Sequence, residues 1–405
     1  MDVAPVAAWE LAAALPDRPD PHDLARLREM LPDVPIGQWN AVVTQTLLRR
    51  KAEATLGSGP WWLTEAGLQQ ASRPAVAVRR ARQLAEQGMT RFVDLGCGLG
   101  IDSIAAARAG LAVTAVERDD RTSAYAARNL AHFAPTGHDV QVVCGDALEQ
   151  VVPRGSVAFV DPARRSGTQR DGSSRRTLAP QDWAPPWSWL AGFAAAHPHT
   201  LAKVAPGIDR DLPPPGVAIE WVSVAGALVE AILWFPGVRG DRPRRTATLL
   251  SPTPDPWQPG SEHHLSGTGE PAAVGVLGDW LLEPDAAVIR SGLVGDLASL
   301  IGGRTISDGI AYLTTDAPPP SHWGRVSRIE AVVATRPKAL RAELRQRGFG
   351  SVEIRTRGLG LDPAALRRQL ALRGDGPSAS LVLTRVAGSA TGLLVSDHAV
   401  PGGRT

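Results

Sequence analysis

The chain has 405 residues, which predicts about two or three domains, and 43% of them are apolar, enough for a sizeable core. Its 43 basic and 41 acidic residues leave a formal net charge of +2, which excludes a strongly basic protein that binds nucleic acid through its overall charge. The two cysteines, Cys97 and Cys144, exclude a disulfide framework and indicate a reducing compartment, for which we expect the cytoplasm.

The first part of the chain has apolar residues at helical spacing, with Pro and Gly at the breaks. This pattern predicts an N-terminal helical domain over residues 1–88. The segment GSGPWWLTEAGLQQAS, residues 57–72, interrupts the helices, and we interpret it as a loop that leads to a binding site in the next domain.

From residue 91 short apolar runs alternate with amphipathic, Ala-rich segments. Such runs are typical of parallel strands that are buried on both faces of a sheet. Residues 89–252 are therefore predicted to form a doubly wound, Rossmann-like α/β domain. Residues 218–236 add two strands, separated by Gly226, at one end of this sheet.

Residues 253–275 are rich in Pro and Gly and show no periodicity, so we interpret them as a linker or long loop. Residues 276–405 return to an order of strand, helix, strand, helix and strand. This order predicts a C-terminal α+β domain of about the size of a ferredoxin-like module. Within it, residues 325–385 contain thirteen basic and five acidic residues. This excess indicates either a phosphate-binding face or the surface charge of an Arg-rich composition.

Three alternating glycines, Gly96, Gly98 and Gly100, follow the first predicted strand. A strand that enters a tight turn before a helix presents free N–H groups to a ligand, and glycine permits close approach and positive φ. A dinucleotide fold would have its third glycine three residues after the second. Ile101 occupies that position, so the spacing argues against a nicotinamide cofactor.

The stretch VDLGCGLG, residues 93–100, resembles the first motif of class I S-adenosylmethionine-dependent methyltransferases. The resemblance implies S-adenosylmethionine as the cofactor, with its methionine part against the glycine turn. The candidate cofactor-binding residues are Asp94, Gly96, Cys97, Gly98, Gly100, Asp102, Glu117, Arg118, Asp146 and Ala147.

Acidic residues near the turn and at the strand ends have separate expected roles. Glu117 ends the second strand, where a carboxylate can accept both ribose hydroxyls. The resemblance implies that Asp146 accepts from the adenine amino group, with Ala147 near the ring; the alternative is that Asp146 caps a following helix. Asp102 either caps the helix after the glycine turn or reaches the methionine amino group.

The fourth predicted strand ends on Asp161 and Pro162, at the edge of the sheet where α/β proteins bind ligands. An acceptor there can hold an amino N–H and direct the nitrogen lone pair at a methyl group. The motif is similar to the Asp/Asn-Pro-Pro-aromatic signature of amino-methylating enzymes, except that Ala163 and Arg164 replace its last two residues. We predict Asp161, Pro162 and Arg164 as catalytic residues. Arg164 would meet a phosphate or a guanine edge, or else be a solvated arginine in a turn.

Neither cysteine follows this strand, which argues against C5-pyrimidine methylation because that chemistry needs a thiolate nucleophile near its target. Cys97, inside the glycine turn, and Cys144, inside a strand, are better interpreted as small packing residues. The sequence has no Cys/His cluster that predicts a metal site.

The basic segment 163–176 and the Trp-rich segment 182–189 follow the fourth strand. Arginines next to aromatic rings suit single-stranded nucleic acid, although the tryptophans can equally cap the sheet. The C-terminal segment resembles the THUMP-like domain behind certain bacterial methyltransferases. The stretches WLLEPDAAVIRSG (280–292) and DPARR (161–165) are similar to that family, and the resemblance covers most of the chain beyond residue 60.

In related enzymes THUMP domains engage structured RNA such as tRNA. The sequence thus predicts a methyltransferase that acts on a base nitrogen of tRNA or rRNA. A methyltransferase of a small molecule or protein is the alternative, and the acidic residues at three strand ends argue against a non-catalytic binding module. We expect no membrane association, since no apolar stretch has the length of a span and the N-terminus lacks a signal-peptide pattern.

Overall fold

The computed structural model describes residues 5–162 and 180–397, together with the backbone of two short strands at 165–168 and 174–176. The chain divides into two compact units. The first unit consists of Met1–Ala205, Ile232–Gly240 and Ser251–Ser261. The second unit consists of Pro206–Ala231, Asp241–Leu250 and Glu262–Thr405. None of the helices in the described ranges is both long and apolar enough to cross a membrane.

The N-terminal part of the first unit is helical, as predicted. Its helices are α1 (Val6–Ala13), α2 (Pro21–Met30), α3 (Ile36–Leu56), α4 (Glu65–Gln70) and α5 (Pro74–Glu86). A capping box of Asp20 and Asp23 starts α2, and proline at the first turn starts α2 and α5. Trp39 and Val42 of α3 pack with Ala8, Ala12 and Leu27 in a small core, so α1 to α3 fold around one another.

The middle of the first unit alternates strands and helices, which confirms the predicted α/β class. These elements are β1 (Arg91–Leu95), α6 (Ile101–Arg108), β2 (Ala112–Glu117), α7 (Asp120–Phe133), β3 (Val140–Cys144), β4 (Val157–Val160), β5 (Arg165–Thr168), β6 (Ser174–Arg176), α8 (Trp187–Ala196) and β7 (Thr200–Val204). Five strands pair in parallel in the order β3-β2-β1-β4-β7. The order reverses between β1 and β4, and ligands of doubly wound folds bind at such a switch point.

The next strands are β8 (Ala218–Val224), β9 (Ala227–Trp234), β10 (Arg245–Leu250) and β11 (Glu262–Ser266), and the short helix α9 (Pro236–Arg239) follows β9. In the second unit they pair in the order β11-β10-β8-β9, and the final residues of β9 belong to the first unit. The segment 253–275, interpreted from sequence as a linker, contains β11. Leu265 is the buried residue of this edge strand, too weak an apolar pattern to reveal it.

The rest of the second unit contains β12 (Trp280–Pro284), α10 (Ala286–Ser291), α11 (Val294–Ile301), β13 (Arg304–Thr305), β14 (Leu313–Thr315), β15 (Gly324–Val333), α12 (Pro337–Gln346), β16 (Ser351–Thr356), α13 (Pro363–Leu370), β17 (Ser378–Val386) and β18 (Ser389–Asp397). Its sheet has the order β13-β14-β12-β15-β18-β17-β16. Leu340, Leu344, Leu366 and Leu370 of α12 and α13 pack in one core with Leu381 of β17.

The predicted C-terminal α+β domain is confirmed, but its connectivity from β15 onward is β-α-β-α-β-β. A ferredoxin-like module has the order β-α-β-β-α-β. The difference arises because a tight turn at Ala387 and Gly388, both with positive φ, folds β18 back between β17 and β15. The sequence shows the sizes of these elements but not their order in the sheet.

Candidate functional site

The glycine turn joins β1 to α6. Gly96, Gly98 and Gly100 have φ of 96°, 54° and 84°, a region that L side chains rarely adopt. The N–H groups of Gly96 and Cys97 donate to the carbonyl of Val116 at 3.0 and 2.9 Å, which fixes the turn against β2. A Cβ atom on Gly98 would meet nothing within 4 Å, so bare backbone faces open space there.

Glu117, at the end of β2, is held by the glycine turn itself. The N–H of Gly98 donates to Oε2 of Glu117 at 3.1 Å, and the N–H of Asp119 donates to Oε1 at 3.0 Å. Arg118 is exposed beside it. Two backbone donors therefore fix the orientation of this half-buried carboxylate next to the open backbone of the turn.

Asp146 lies beyond the end of β3 and is exposed, with Ala147 half-buried next to it. Its Oδ1 accepts the N–H of Leu148 at 2.9 Å, the bond of an Asx turn. The alternative that Asp146 caps a helix is wrong, because residues 145–156 are all described and contain no helix.

Asp94 is fully buried in β1, where the hydroxyl of Ser103 donates to its Oδ2 at 2.6 Å. Burial raises the pKa of Asp94 to about 8, and the nearby charge of Asp102 acts in the same direction. We infer that Asp94 is largely protonated in the folded protein near neutral pH and ionised in the unfolded chain.

The raised pKa of Asp94 predicts that the free energy of unfolding depends on pH. Between about pH 4 and 8 the folded protein binds one proton more than the unfolded chain, so Asp94 lowers the free energy of unfolding by up to about 1.4 kcal/mol for each pH unit gained. An Asp94→Asn variant has no such proton. Measured by urea unfolding at pH 5, 6 and 7, its stability relative to the unmodified protein is expected to rise with pH. Parallel pH dependences would contradict the assignment.

Asp102 lies in the first turn of α6, whose N-cap is Gly100 and which has no side-chain cap. The alternative that Asp102 caps this helix is therefore wrong. Its Oδ2 accepts the hydroxyl of Ser72 at 2.6 Å, and its Oδ1 is ion-paired with Arg80. Burial raises the pKa of Asp102, but the positive charges of Arg80 and Lys203 outweigh burial and hold the pKa below its usual value.

Asp161 directly follows β4, and Lys203 lies one residue before the end of the neighbouring strand β7. Pairing of Val160 with Ala202 places Asp161 of the β4 end beside Lys203 of β7, and Nζ of Lys203 lies 2.5 Å from Oδ2 of Asp161. The carbonyl oxygen of Asp161 lies 3.8 Å from the position of a Cβ on Gly96. The end of β4 therefore lies directly across the switch point from the glycine turn.

Of the other two predicted catalytic residues, Pro162 and Arg164, the structure describes only Pro162. Pro162 is buried behind Asp161. Arg164 and most of the predicted basic loop 163–176 lie outside the described residues, apart from the backbone of β5 and β6, which pair antiparallel. In the Trp-rich segment that follows, Trp183 is buried, as a residue that caps the sheet would be.

The segment 57–72 docks onto the glycine turn. Asn129 of α7 donates to the carbonyls of Trp62 and Leu99, both at 3.0 Å, and accepts the N–H of Trp62 at 2.8 Å. Gln45 of α3 exchanges two hydrogen bonds with the backbone of Leu63, at 2.7 and 2.8 Å. These bonds hold the segment beside the glycine turn, and its last residue, Ser72, donates a hydrogen bond to Asp102.

The sequence interpretation missed Lys203, Ser72 and Arg80. A signal existed for two of them: Lys203 is the one charged residue in the strand TLAKV, and Arg80 interrupts the apolar pattern of α5. Both side chains are buried, where an unpaired charge is costly, so each indicates a buried acidic partner. Ser72 gave no such signal.

Neither cysteine belongs to the end of β4, since Cys97 lies in the glycine turn and Cys144 ends β3. Cys144 is exposed, with Sγ 3.0 Å from Oδ1 of Asp120. Burial and the nearby carboxylates of Asp94 and Glu117 raise the pKa of Cys97 well above its usual value, which keeps this thiol protonated and weakly nucleophilic.

Known proteins resemble this chain in sequence and fold. A family model described as THUMP domain-like matches residues 324–397. A protein of two Mycobacterium tuberculosis strains, named an uncharacterized S-adenosylmethionine-dependent methyltransferase, is 35% identical over 358 residues, which cover 85% of this chain and 92% of the relative. The chain belongs to the S-adenosylmethionine-dependent methyltransferases. It is therefore an enzyme with S-adenosylmethionine as its cofactor, and its C-terminal domain is THUMP-like.

The fold of this methyltransferase also matches a solved structure. A crystal structure from Porphyromonas gingivalis W83, described as that of a methyltransferase, aligns with a TM-score of 0.73 and 21% identity. The alignment covers 99% of this chain and 100% of the other. At this identity the match establishes the common fold.

Proposed function

We propose that this methyltransferase transfers the methyl group to a base nitrogen of structured RNA, either tRNA or rRNA. The observation that carries the proposal is the position of Asp161, which follows β4 with its carbonyl oxygen 3.8 Å from a Cβ position on Gly96, in a chain that also has a THUMP-like domain. The carboxylate of this residue is the hydrogen-bond acceptor that the proposal uses. In this proposal residues 89–252 hold the cofactor and transfer the group, and residues 276–405 hold the RNA, in the cytoplasm.

The residues of the glycine turn fit the cofactor. The open space at Gly98 leaves room for the methionine part against the backbone of Gly96 to Gly100, and the fixed carboxylate of Glu117 is suited to two ribose hydroxyls. We assign Asp146 and Ala147 to the adenine, as the family motif implies. When bound, S-adenosylmethionine supplies a methyl group activated by a positively charged sulfur.

The role of Asp161 in this proposal is positioning of the acceptor. Its carboxylate accepts an N–H of the target amino group and so directs the nitrogen lone pair toward the cofactor side of the switch point. The buried Pro162 limits the backbone freedom of Asp161. We assign Arg164 to a phosphate or a base edge of the RNA.

The charge of the THUMP-like domain supports an RNA substrate, although part of it is neutralised internally. Arg325 is ion-paired with Asp397, and Arg355 and Arg357 are ion-paired with Glu283. Seven basic residues on or beside α12 and α13 are exposed, and they are Arg336, Lys338, Arg345, Arg347, Arg367, Arg368 and Arg373. Of these, Arg347 is ion-paired with Glu343. Exposed cations clustered in this way favour phosphate binding.

The experiment that tests the substrate class uses total RNA and total protein from a strain that lacks this gene. The purified enzyme and tritiated S-adenosylmethionine are added, and the label is separated by size and by nucleoside digestion. We expect label in a tRNA or rRNA fraction, on a base nitrogen. Label confined to protein or to small metabolites would contradict the RNA proposal and favour the alternative substrate class. The control is RNA from the unmodified strain, which is already methylated and should take up little label.

A further inference from the structure

A buried lysine, Lys203, lies beside the carboxylate of Asp161, which we propose accepts an N–H of the target amino group. Lys203 is 7% exposed, and its Nζ contacts Oδ2 of Asp161 at 2.5 Å, Oγ of Ser72 at 3.0 Å and the carbonyl of Gln70 at 3.4 Å. These contacts give the ammonium group three acceptors in fixed directions. Lys203 therefore holds its place by pairing and hydrogen bonds rather than by solvation.

The contacts form one chain from the glycine-turn helix to the end of β4. Ser72 donates its hydroxyl proton to Asp102 and accepts a hydrogen bond from Lys203, which is paired with Asp161. Arg80 pairs with Asp102 at the far end. The chain thus joins the cations of Arg80 and Lys203 to the carboxylates of Asp102 and Asp161. A hydrogen-bonded network of buried charges holds its members in fixed positions, and the loss of one member removes a favourable contact from its neighbour.

We propose that Lys203 is the positioning residue for Asp161, held in place by Ser72. This inference rests on the proposed function, in which Asp161 accepts an N–H of the target amino group. With Oδ2 held by an ammonium group, the carboxylate cannot turn freely about its side-chain bonds, so Oδ1 keeps one direction in which to accept. Through Gln70 at the end of α4 and Ser72 in the connection to α5, this segment then belongs to the active site.

The role predicts coupling between two positions. Lys203→Met keeps an unbranched side chain, one atom shorter, and removes the charge. We expect the single-turnover rate of methyl transfer to total RNA of the deletion strain to fall about tenfold or more. In an Asp161→Asn background the amide has no charge for Lys203 to hold, so Lys203→Met should cost less than about threefold there. Affinity for S-adenosylhomocysteine, measured by calorimetry, should stay within about threefold in all variants.

The outcomes separate this inference from the proposed function. An unchanged rate in Lys203→Met, or an equal loss in both backgrounds, overturns the positioning role while leaving the role of Asp161 intact. An unchanged rate in Asp161→Ala, measured in the same series, overturns the proposed function itself. If Lys203→Met fails to bind S-adenosylhomocysteine, Lys203→Gln replaces it in the cycle. The glutamine amide can still donate to Ser72, so the same coupling is then expected from loss of the charge alone.

Discussion

Replacement of Asp161 by alanine is expected to lower the rate of methyl transfer to RNA by at least about a hundredfold. The affinity for S-adenosylhomocysteine is expected to stay within about threefold of that of the unmodified enzyme. The reason is that Asp161 follows β4, on the side of the switch point where we place the methyl-accepting substrate. The glycine turn follows β1 and Glu117 ends β2, on the side where we place the cofactor. Calorimetry gives the affinity, and tritium transfer gives the rate.

Two controls accompany this variant. Alanine removes the Asp161 carboxylate from the buried ammonium of Lys203, so thermal unfolding must show that the variant is folded at the assay temperature. Asp139→Ala removes an exposed carboxylate just before β3, at the amino end of a strand rather than at the carboxyl ends where the site lies. This change should leave both rate and affinity unchanged. A loss of affinity in Asp161→Ala as large as its loss of rate would contradict the role in positioning the acceptor.

Replacement of Glu117 by glutamine is expected to weaken binding of S-adenosylhomocysteine by about a hundredfold, because two hydrogen bonds from hydroxyls to a charged acceptor are worth about 3 kcal/mol or more. In the unmodified protein the two carboxylate oxygens accept the N–H groups of Gly98 and Asp119. Glutamine replaces one of these oxygens by an N–H₂ group, so one of the two hydrogen bonds is lost. Calorimetry measures the loss directly.

The matched control for Glu117 is Glu86→Gln, an exposed carboxylate at the end of α5. It should bind S-adenosylhomocysteine as the unmodified enzyme does. Circular dichroism must show that Glu117→Gln retains its secondary structure. Unchanged affinity in that variant would remove Glu117 from the cofactor site and with it the assignment of the ribose to the end of β2.

The parts of the site that could be predicted are those set by neighbours in sequence. Gly98, Glu117 and Asp161 each follow a short apolar run, and the carboxyl ends of parallel strands meet at one edge of a sheet, so their proximity followed from the pattern alone. The family resemblance added the identity of the cofactor.

The partners of these residues depend on tertiary packing and could not be predicted in this way. Ser72 lies 30 positions from Asp102 and 131 positions from Lys203, and no local pattern connects them. The same limit explains the two rejected capping roles. A cap is a local interaction, but Asp102 faces buried cations from distant elements, and the chain after Asp146 does not continue as a helix.

The most direct test of the central claim is a calorimetric titration of the unmodified chain with S-adenosylhomocysteine and, separately, with nicotinamide adenine dinucleotide. We expect saturable heat at a stoichiometry of about one with the first ligand and none with the second, because the glycine spacing and the fixed carboxylate of Glu117 suit the sulfur-linked nucleoside. Heat with the dinucleotide and none with S-adenosylhomocysteine would contradict the assignment of this turn as the methyl donor's site.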